Sequence, residues 1–290
     1  MTNALKADQP APLMDFGEDD IATVMRALLD SSRRVERVRL SDRSVWIKRQ
    51  EAKVLPIWVS FQGAAATLLR MPVMRPSLRL APAAMQAREV ARIRVFAEKG
   101  FPVPPLLYTS ETAMVLGDVS PTVEARMRQL KKTSPEDHDD LLVQSASALG
   151  ELHAAGLCHG RPHVRDFFLQ DGRIGFFDFE EDPTAVMPLE TAQARDIALL
   201  FLTVTSRAIR KDETCQAALE AWCARAPAAS IVELRRFGRM MGRILPLARL
   251  IGRVHMGSDL RRFIMATEFL MHAPETEADG EPPGKAGYDG

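Results

Sequence analysis

The stretch Leu152–Asp182, "LHAAGLCHGRPHVRDFFLQDGRIGFFDFEED", contains the strongest structural signal in the chain. Gly156 is predicted to end a helix, and His159 opens the polar loop that follows. The second half is predicted to form a small hairpin that turns at Asp171-Gly172, because an Asp-Gly pair favours a tight turn. Asp178 comes directly after the apolar residues of this hairpin. Helix, loop, hairpin and aspartate therefore follow one another at close spacing.

The sequence before this stretch predicts strands and one long helix. Two alternating segments around the polar break "SDR" indicate a β-hairpin, and "AAMQAREVARIRVFAEKG" indicates a helix that ends at Gly100. A short helix precedes the hairpin, and two short strands follow the long helix up to Gly117. Beyond that point, apart from the small hairpin, the chain is predicted to be mainly helical.

This order of elements predicts an α+β fold with two lobes that meet near residue 118. The smaller lobe is rich in β-strands and contains one long helix, and the larger lobe is mainly helical. The predicted divisions are a flexible N-terminal arm at 1–16, the small lobe at 17–117, an apolar and basic insertion with the start of the long helix at 52–88, the helical lobe at 118–273 and a disordered tail at 274–290.

Composition places the chain among ordinary soluble globular proteins. It carries 38 basic and 38 acidic side chains, and this zero net charge does not indicate a nucleic-acid-binding protein. Cys158, Cys215 and Cys223 follow no metal or disulfide spacing, which fits a reducing compartment. The N-terminal residues are unlike a secretory signal, and the apolar runs are too short to span a bilayer. A cytoplasmic location is therefore expected.

Several residues occur in the order that phosphoryl transfer from ATP requires: a phosphate-binding lysine, a glutamate that holds it and a metal-binding carboxylate. Lys48 ends the strand "VWIK", and Glu89 lies on the long helix that follows. His159 opens the polar loop, and Asp178 follows an apolar strand, where a magnesium-binding aspartate is expected. Each of these residues alone is more often a surface charge, so the signal lies in their combined order.

With these motifs the chain resembles the protein-kinase-like superfamily, and it is most similar to the bacterial lipopolysaccharide kinases that phosphorylate Kdo or heptose. The resemblance covers about residues 34–205 and is carried by "VWIKRQE", "EVARIRVFAEKGFPVP", "AMVLGDVS", "LHAAGLCHGRPHVRD" and "IGFFDFEED". It implies a bilobal protein-kinase-like fold in which Lys48 and Glu89 bind ATP. It also implies that Asp166 and Asp178 bind Mg²⁺ and that Asp196 of "ARDIALL" holds the loop from below.

The chain departs from the family pattern in three ways. Arg161 occupies the position of the catalytic base, because it lies 17 residues before Asp178, the spacing that the family shows, whereas Asp166 lies only 12 residues before it. Asp166 then occupies the position of the loop asparagine. No glycine-rich phosphate loop precedes Lys48, and the insertion separates Lys48 from Glu89 by an unusual length of chain.

An arginine at the base position allows two interpretations. Arginine has donors but no acceptor, and it does not release its proton near neutral pH. Arg161 either stabilises charge on the transferred phosphate, as an arginine finger does, or pairs with Asp166 or Asp178 and locks an inactive loop.

Three neighbouring residues of the loop are further candidates. His159 could act as a base or ligand, although an imidazole that braces the loop is the stronger expectation. His163 could replace the missing base, but an exposed histidine without a role is expected more often. Cys158 is expected to be a buried thiol rather than a nucleophile, since no third partner is evident.

Two functional hypotheses follow. The first is an ATP- and Mg²⁺-dependent phosphotransferase that acts on a sugar or lipid-linked hydroxyl, with Arg161, Asp166 and His159 as catalytic residues. The alternative is a catalytically impaired pseudokinase that binds nucleotide or a partner and serves a regulatory or scaffolding role.

Segment 52–88 has five cations and no acid among apolar side chains, which would suit peripheral association with an anionic inner-membrane surface. Packing of this segment onto its own lobe or a partner subunit is the competing expectation.

Overall fold

The computed structural model describes residues 16–50, 81–254 and 256–271. Most of the predicted N-terminal arm, the C-terminal tail and the part of the insertion before residue 81 lie outside the described residues. Phe16, which was assigned to the flexible arm, packs against a small apolar cluster that includes Val24 and Val38. The ordered chain therefore includes the last residue of that predicted arm.

A small antiparallel sheet forms the first part of the fold. Its strands are β1 (Val35–Arg39), β2 (Ser44–Arg49), β3 (Leu106–Thr109) and β4 (Ala113–Gly117), in the spatial order β1-β2-β4-β3. The predicted hairpin around "SDR" is confirmed, because β1 and β2 pair with Val38 opposite Val45. Helix α1 (Glu18–Asp30) covers one face of the sheet with Val24, which has no solvent exposure. Alternate apolar residues of the strands thus become one small buried layer.

Helix α2 (Pro82–Glu98) is the predicted long helix. Proline in its first turn loses no hydrogen bond, since the first N–H groups of a helix have no partner within it. Gly100 follows the helix at a φ of 80°, a conformation that glycine adopts without strain. One face of α2 buries Glu89 together with Val90, Ile93 and Phe96, so a carboxylate is carried into the protein by an otherwise apolar stripe.

The C-terminal part is mainly helical, as predicted. Its small hairpin pairs β5 (Phe167–Gln170) with β6 (Arg173–Phe176), and Asp171 and Gly172 have φ values of 50° and 75°, as the Asp-Gly turn requires. The helices are α3 (Val123–Thr133), α4 (Pro135–Ala154), α5 (Leu189–Arg207), α6 (Asp212–Cys223), α7 (Ala228–Val254) and α8 (Ser258–Met271).

One apolar core joins the sheet side to the helices. It contains Phe96 of α2 and Met114 of β4 together with Phe176, Phe201 and Trp222. The fold is therefore mixed α+β, with a small antiparallel sheet followed by a mainly helical part. Among the described residues, no helix combines the length and the apolarity needed to cross a bilayer.

Candidate functional site

Lys48 lies at the centre of a buried cluster of carboxylates. Its Nζ is 2.7 Å from Glu89 Oε1, 2.5 Å from Asp178 Oδ1 and 3.0 Å from Glu180 Oε1. Strand β2 supplies the lysine, α2 supplies Glu89, and the segment after β6 supplies the other two carboxylates. The predicted ion pair between Lys48 and Glu89 is present, and the structure adds Asp178 to it.

The charges of this cluster depend on one another. Burial alone would lower the pKa of Lys48, but the carboxylates of Glu89, Asp178 and Glu180 raise it well above its ordinary value. Burial raises the pKa of Glu89 despite the nearby lysine. Burial would also raise the pKa of Asp178, but Lys48 and the more distant Arg161 lower it to about 2. Lys48 and Asp178 are therefore both charged at neutral pH.

Glu180 and Gln50 are members of the cluster that the sequence analysis did not single out. Gln50 Nε2 donates to Glu89 Oε2 over 2.8 Å and fixes that carboxylate from the side opposite Lys48. Arg34 donates to the carboxylate of Glu180, and Arg88 donates to the backbone carbonyl of Glu180. Glu180 is the third residue of the "DFE" motif, but no sequence pattern indicated that its carboxylate reaches Lys48. Arg88, one of the five cations of segment 52–88, thus contacts this site.

The loop after α4 is held by the carboxylate of Asp196 on α5. Asp196 accepts hydrogen bonds from the backbone N–H groups of His159 and Gly160, the second over 2.9 Å to Oδ1. Gly160 has a φ of 100°, and a Cβ there would lie 2.4 Å from the carbonyl oxygen of Glu181. The loop path therefore requires glycine at this position. This is the tether that the resemblance implied for Asp196.

The contacts of His159 are those of a brace. Its ring is buried, Nε2 lies 3.1 Å from the carbonyl oxygen of Phe177, and the ring packs 5.4 Å from the ring of Phe179. Burial lowers the pKa of His159 to about 4, so the imidazole is neutral at physiological pH. Its position agrees with the bracing interpretation rather than with the role of a base or ligand.

Arg92 connects α2 to the loop and was also missed. Its guanidinium donates to the backbone carbonyls of Cys158, His159 and Glu181, the contact with His159 being 3.1 Å long. The same guanidinium lies 5.8 Å from the ring centres of Phe96 and Phe179. Helical spacing could have indicated it, because Arg92 lies one turn after Glu89. Helix α2 is thus joined to the loop through Arg92.

Arg161 is half exposed and makes only long contacts. Its Nη2 lies 3.9 Å from Asp178 Oδ2, and its Nε lies 3.8 Å from Glu181 Oε1. These separations are ion pairs without a hydrogen bond. The guanidinium therefore lies beside Asp178, as one interpretation expected, but nothing fixes it there.

Asp166 is buried beside the same site. Its Oδ1 lies 3.3 Å from Arg165 Nε, and its Oδ2 has no hydrogen-bond partner among the described residues. Burial, and then the negative charge of Asp178, raise the pKa of Asp166 to about 7. A buried carboxylate oxygen without a partner is a costly feature, and ligand binding is one physical reason for keeping it.

The two aspartates fit a magnesium ion by their chemistry. Within the described ranges, no three His, Cys, Asp or Glu side chains cluster as metal ligands. Magnesium is nevertheless commonly held by one or two carboxylates together with substrate phosphates. The unpartnered Oδ2 of Asp166 and the ionised Asp178 supply oxygens of that kind.

His163 and Cys158 are not in reactive environments. His163 Nδ1 accepts a hydrogen bond from the backbone N–H of Arg165 over 3.0 Å. Burial and the charges of Arg165 and Arg207 lower the pKa of His163 to about 4. Cys158 is buried, which raises the pKa of its thiol to about 12 and disfavours the thiolate that a nucleophile requires.

Comparison with known proteins adds one distant relative. No family model matches the chain. Over 165 residues the chain is 30% identical to an uncharacterized protein of Haemophilus influenzae, and the match covers 56% of this chain and 60% of that protein. The chain thus spans less than two thirds of the length of this relative.

Proposed function

We propose that the protein is an ATP- and Mg²⁺-dependent phosphotransferase with a bilobal protein-kinase-like fold of the lipopolysaccharide-kinase type. The observation that carries this proposal is the position of Lys48 between Glu89 of α2 and Asp178 after β6, at 2.7 and 2.5 Å. A strand lysine held by a helix glutamate next to a metal-binding aspartate is the arrangement that kinases use to orient the phosphates of ATP.

In this proposal each residue of the cluster has a distinct task. Lys48 binds the phosphates, and Glu89 holds its ammonium in place. Asp166 and Asp178 hold the magnesium ion, which when bound neutralises phosphate charge. Asp196, His159 and Arg92 keep the loop in position through hydrogen bonds with backbone groups.

Arg161 determines what kind of catalysis is available. It cannot accept a proton, and the loss of a general base typically lowers the rate by about 10²–10⁴-fold. Its guanidinium is not hydrogen-bonded to a carboxylate, so it is free to turn toward a phosphate and stabilise its charge. The resemblance, and not the geometry, supports a sugar or lipid-linked hydroxyl as the acceptor.

The alternative is a catalytically impaired pseudokinase that binds nucleotide or a partner and serves a regulatory or scaffolding role. The position of Arg161 near Asp178 and Glu181 favours this alternative. Among the described residues no neighbouring side chain supplies the missing base, since His159 and His163 are held by backbone groups. Cytoplasmic location and membrane association through 52–88 stay predictions.

Nucleotide binding is the first test of both versions. We expect ATP with Mg²⁺ to raise the melting temperature of the protein. Lys48→Met and Asp178→Asn should each weaken this binding by about tenfold or more, because each removes a charge-assisted contact. Lys131→Met, at an exposed lysine of α3, is the matched control and should bind as the wild type does. If neither ATP nor ADP shifts the melting temperature of the wild type, the phosphotransferase and the nucleotide-binding pseudokinase are both wrong.

Substitution of Arg161 distinguishes the phosphotransferase hypothesis from the pseudokinase hypothesis. Arg161→Asp restores a carboxylate at the base position, and we expect ATP hydrolysis to rise by up to about 10²-fold if the wild-type loop lacks only a base. Arg161→Asn removes the guanidinium without adding a base. Loss of wild-type hydrolysis in both variants would show that the arginine itself contributes to catalysis. Hydrolysis at background level in the wild type and in both variants, with nucleotide still bound, would support the pseudokinase.

A further inference from the structure

A small pocket adjoins the candidate site through Arg161. It has a volume of about 210 Å³ and is bounded by the loop after His159, by α5 and by the start of α8. Arg161 belongs both to this pocket and to the surroundings of Asp178, so the two sites share one side chain.

The lining of the pocket is strongly basic. Arg161 and Arg165 come from the loop, and Arg262 comes from α8, far away in the sequence. Asp259 is the acidic side chain of the lining, and it is 93% exposed. His163 adds no positive charge near neutral pH, because its pKa is about 4. Three guanidinium groups around one cavity repel one another unless an anion lies between them.

Among the described residues, these three arginines have only weak acidic partners. Their shortest contacts with carboxylates are 3.8 Å for Arg161, 3.3 Å for Arg165 and 3.5 Å for Arg262. By contrast, Arg195 contacts Glu181 at 2.9 Å. Each guanidinium has five N–H donors, so most of the donors around the pocket remain available to a ligand.

The rest of the lining is apolar. Leu199 and Leu202 of α5 and Pro162 of the loop provide carbon surface next to the arginines. Arginine binds phosphate through paired N–H donors, and the leucines suit the carbon skeleton to which a phosphate is attached.

We infer that this pocket binds a phosphate monoester, with the phosphate between Arg161, Arg165 and Arg262 and the organic part against Leu199 and Leu202. The binding itself follows from the pocket; the further statement that the bound group belongs to the acceptor rests on the proposed function. In that case the acceptor already carries a phosphate near the hydroxyl that is to be modified.

The inference is tested by titrating the intact protein with hexyl phosphate, inorganic phosphate and hexanol. We expect hexyl phosphate to bind more tightly than inorganic phosphate, hexanol not to bind, and the affinity for hexyl phosphate to fall with added salt. Tighter binding of inorganic phosphate would indicate a site for the free ion.

Arg262→Gln should weaken hexyl phosphate binding by about fivefold, because the pocket loses one of its charge-assisted contacts. Arg236→Gln is the matched control: it removes the same charge from an arginine that also has an acidic partner three residues away, at 3.4 Å, but that lies outside the pocket. Equal affinity in the wild type and both variants, or equal losses in both variants, would overturn the inference.

The outcome is independent of the nucleotide test, since Arg262 is not part of the Lys48 cluster. Hexyl phosphate binding that requires Arg262 in a protein that does not bind ATP would keep the pocket and refute the proposed kinase. ATP binding without hexyl phosphate binding would refute the proposed pocket and leave the proposed kinase standing.

Discussion

At the scale of the residue, Asp166 has a strongly raised pKa. Its pKa is raised from 3.8 to about 7, first by burial and then by Asp178. A carboxylate with a raised pKa in the folded state contributes stability below its unfolded pKa, and this contribution is lost as the pH rises through the folded pKa. Without divalent metal, Asp166 should therefore lower the free energy of unfolding as the pH rises from about 4 to about 7.

Asp166→Asn should remove this pH dependence. Relative to the wild type, we expect the variant to gain on the order of 2 kcal/mol in the free energy of unfolding at about pH 8 and much less at about pH 5. Chemical denaturation at the two pH values measures the difference. Asp171→Asn, at the exposed turn of the β5–β6 hairpin, is the control and should show no such gain. An equal effect of Asp166→Asn at both pH values would contradict the assigned protonation.

At the scale of the element, the segment after β6 supplies two carboxylates, those of Asp178 and Glu180, to Lys48. Glu180 Oε1 lies 3.0 Å from Lys48 Nζ, in addition to the contacts that the lysine makes with Glu89 and Asp178. If Lys48 binds phosphate, the negative charge of Glu180 opposes the incoming ligand. We expect Glu180→Gln, which keeps hydrogen-bonding capacity but removes the charge, to tighten ATP binding by about threefold to tenfold.

Glu181→Gln is the matched control for this change. Glu181 is adjacent, but its carboxylate pairs most closely with Arg195, at 2.9 Å, and within the described residues no contact joins that carboxylate to Lys48. Calorimetric titration of both variants with ATP and Mg²⁺ gives the two affinities. Weaker binding by Glu180→Gln would mean that Glu180 assists the nucleotide or its metal rather than opposing it.

At the scale of the whole molecule, the local elements followed from the sequence more readily than the contacts between them. The hairpin around "SDR", the stop of α2 near Gly100 and the turn at Asp171-Gly172 depend on local spacing and turn chemistry, and all three are present. The approach of Lys48 to Glu89 was expected only because of a resemblance to known kinases. Glu180 and Gln50 could not be assigned, because their partners are set by the packing of separate elements.

The basic pocket could not be predicted for the same reason, because its residues are far apart in the sequence. Arg262 lies on α8 and meets Arg161 and Arg165 only because α8 packs beside α5. From residue 235 to residue 262 the sequence contains eight arginines and one acidic residue, but a run of charges along the chain predicts no particular cavity. A fold is needed to select which of its arginines converge.

The tether of the loop has a consequence for how such chains diverge. Gly160 and Asp196 fix the path of the backbone, whereas the side chain of Arg161 makes no hydrogen bond. Exchange of residue 161 therefore leaves the loop intact, and exchange of residue 160 or 196 does not. In an evolving lineage the chemistry at position 161 can change in a single step, while the glycine and the aspartate must persist. Relatives that share this loop should be recognised by the two residues that carry no chemistry, and sorted into active and inactive members by the one that does.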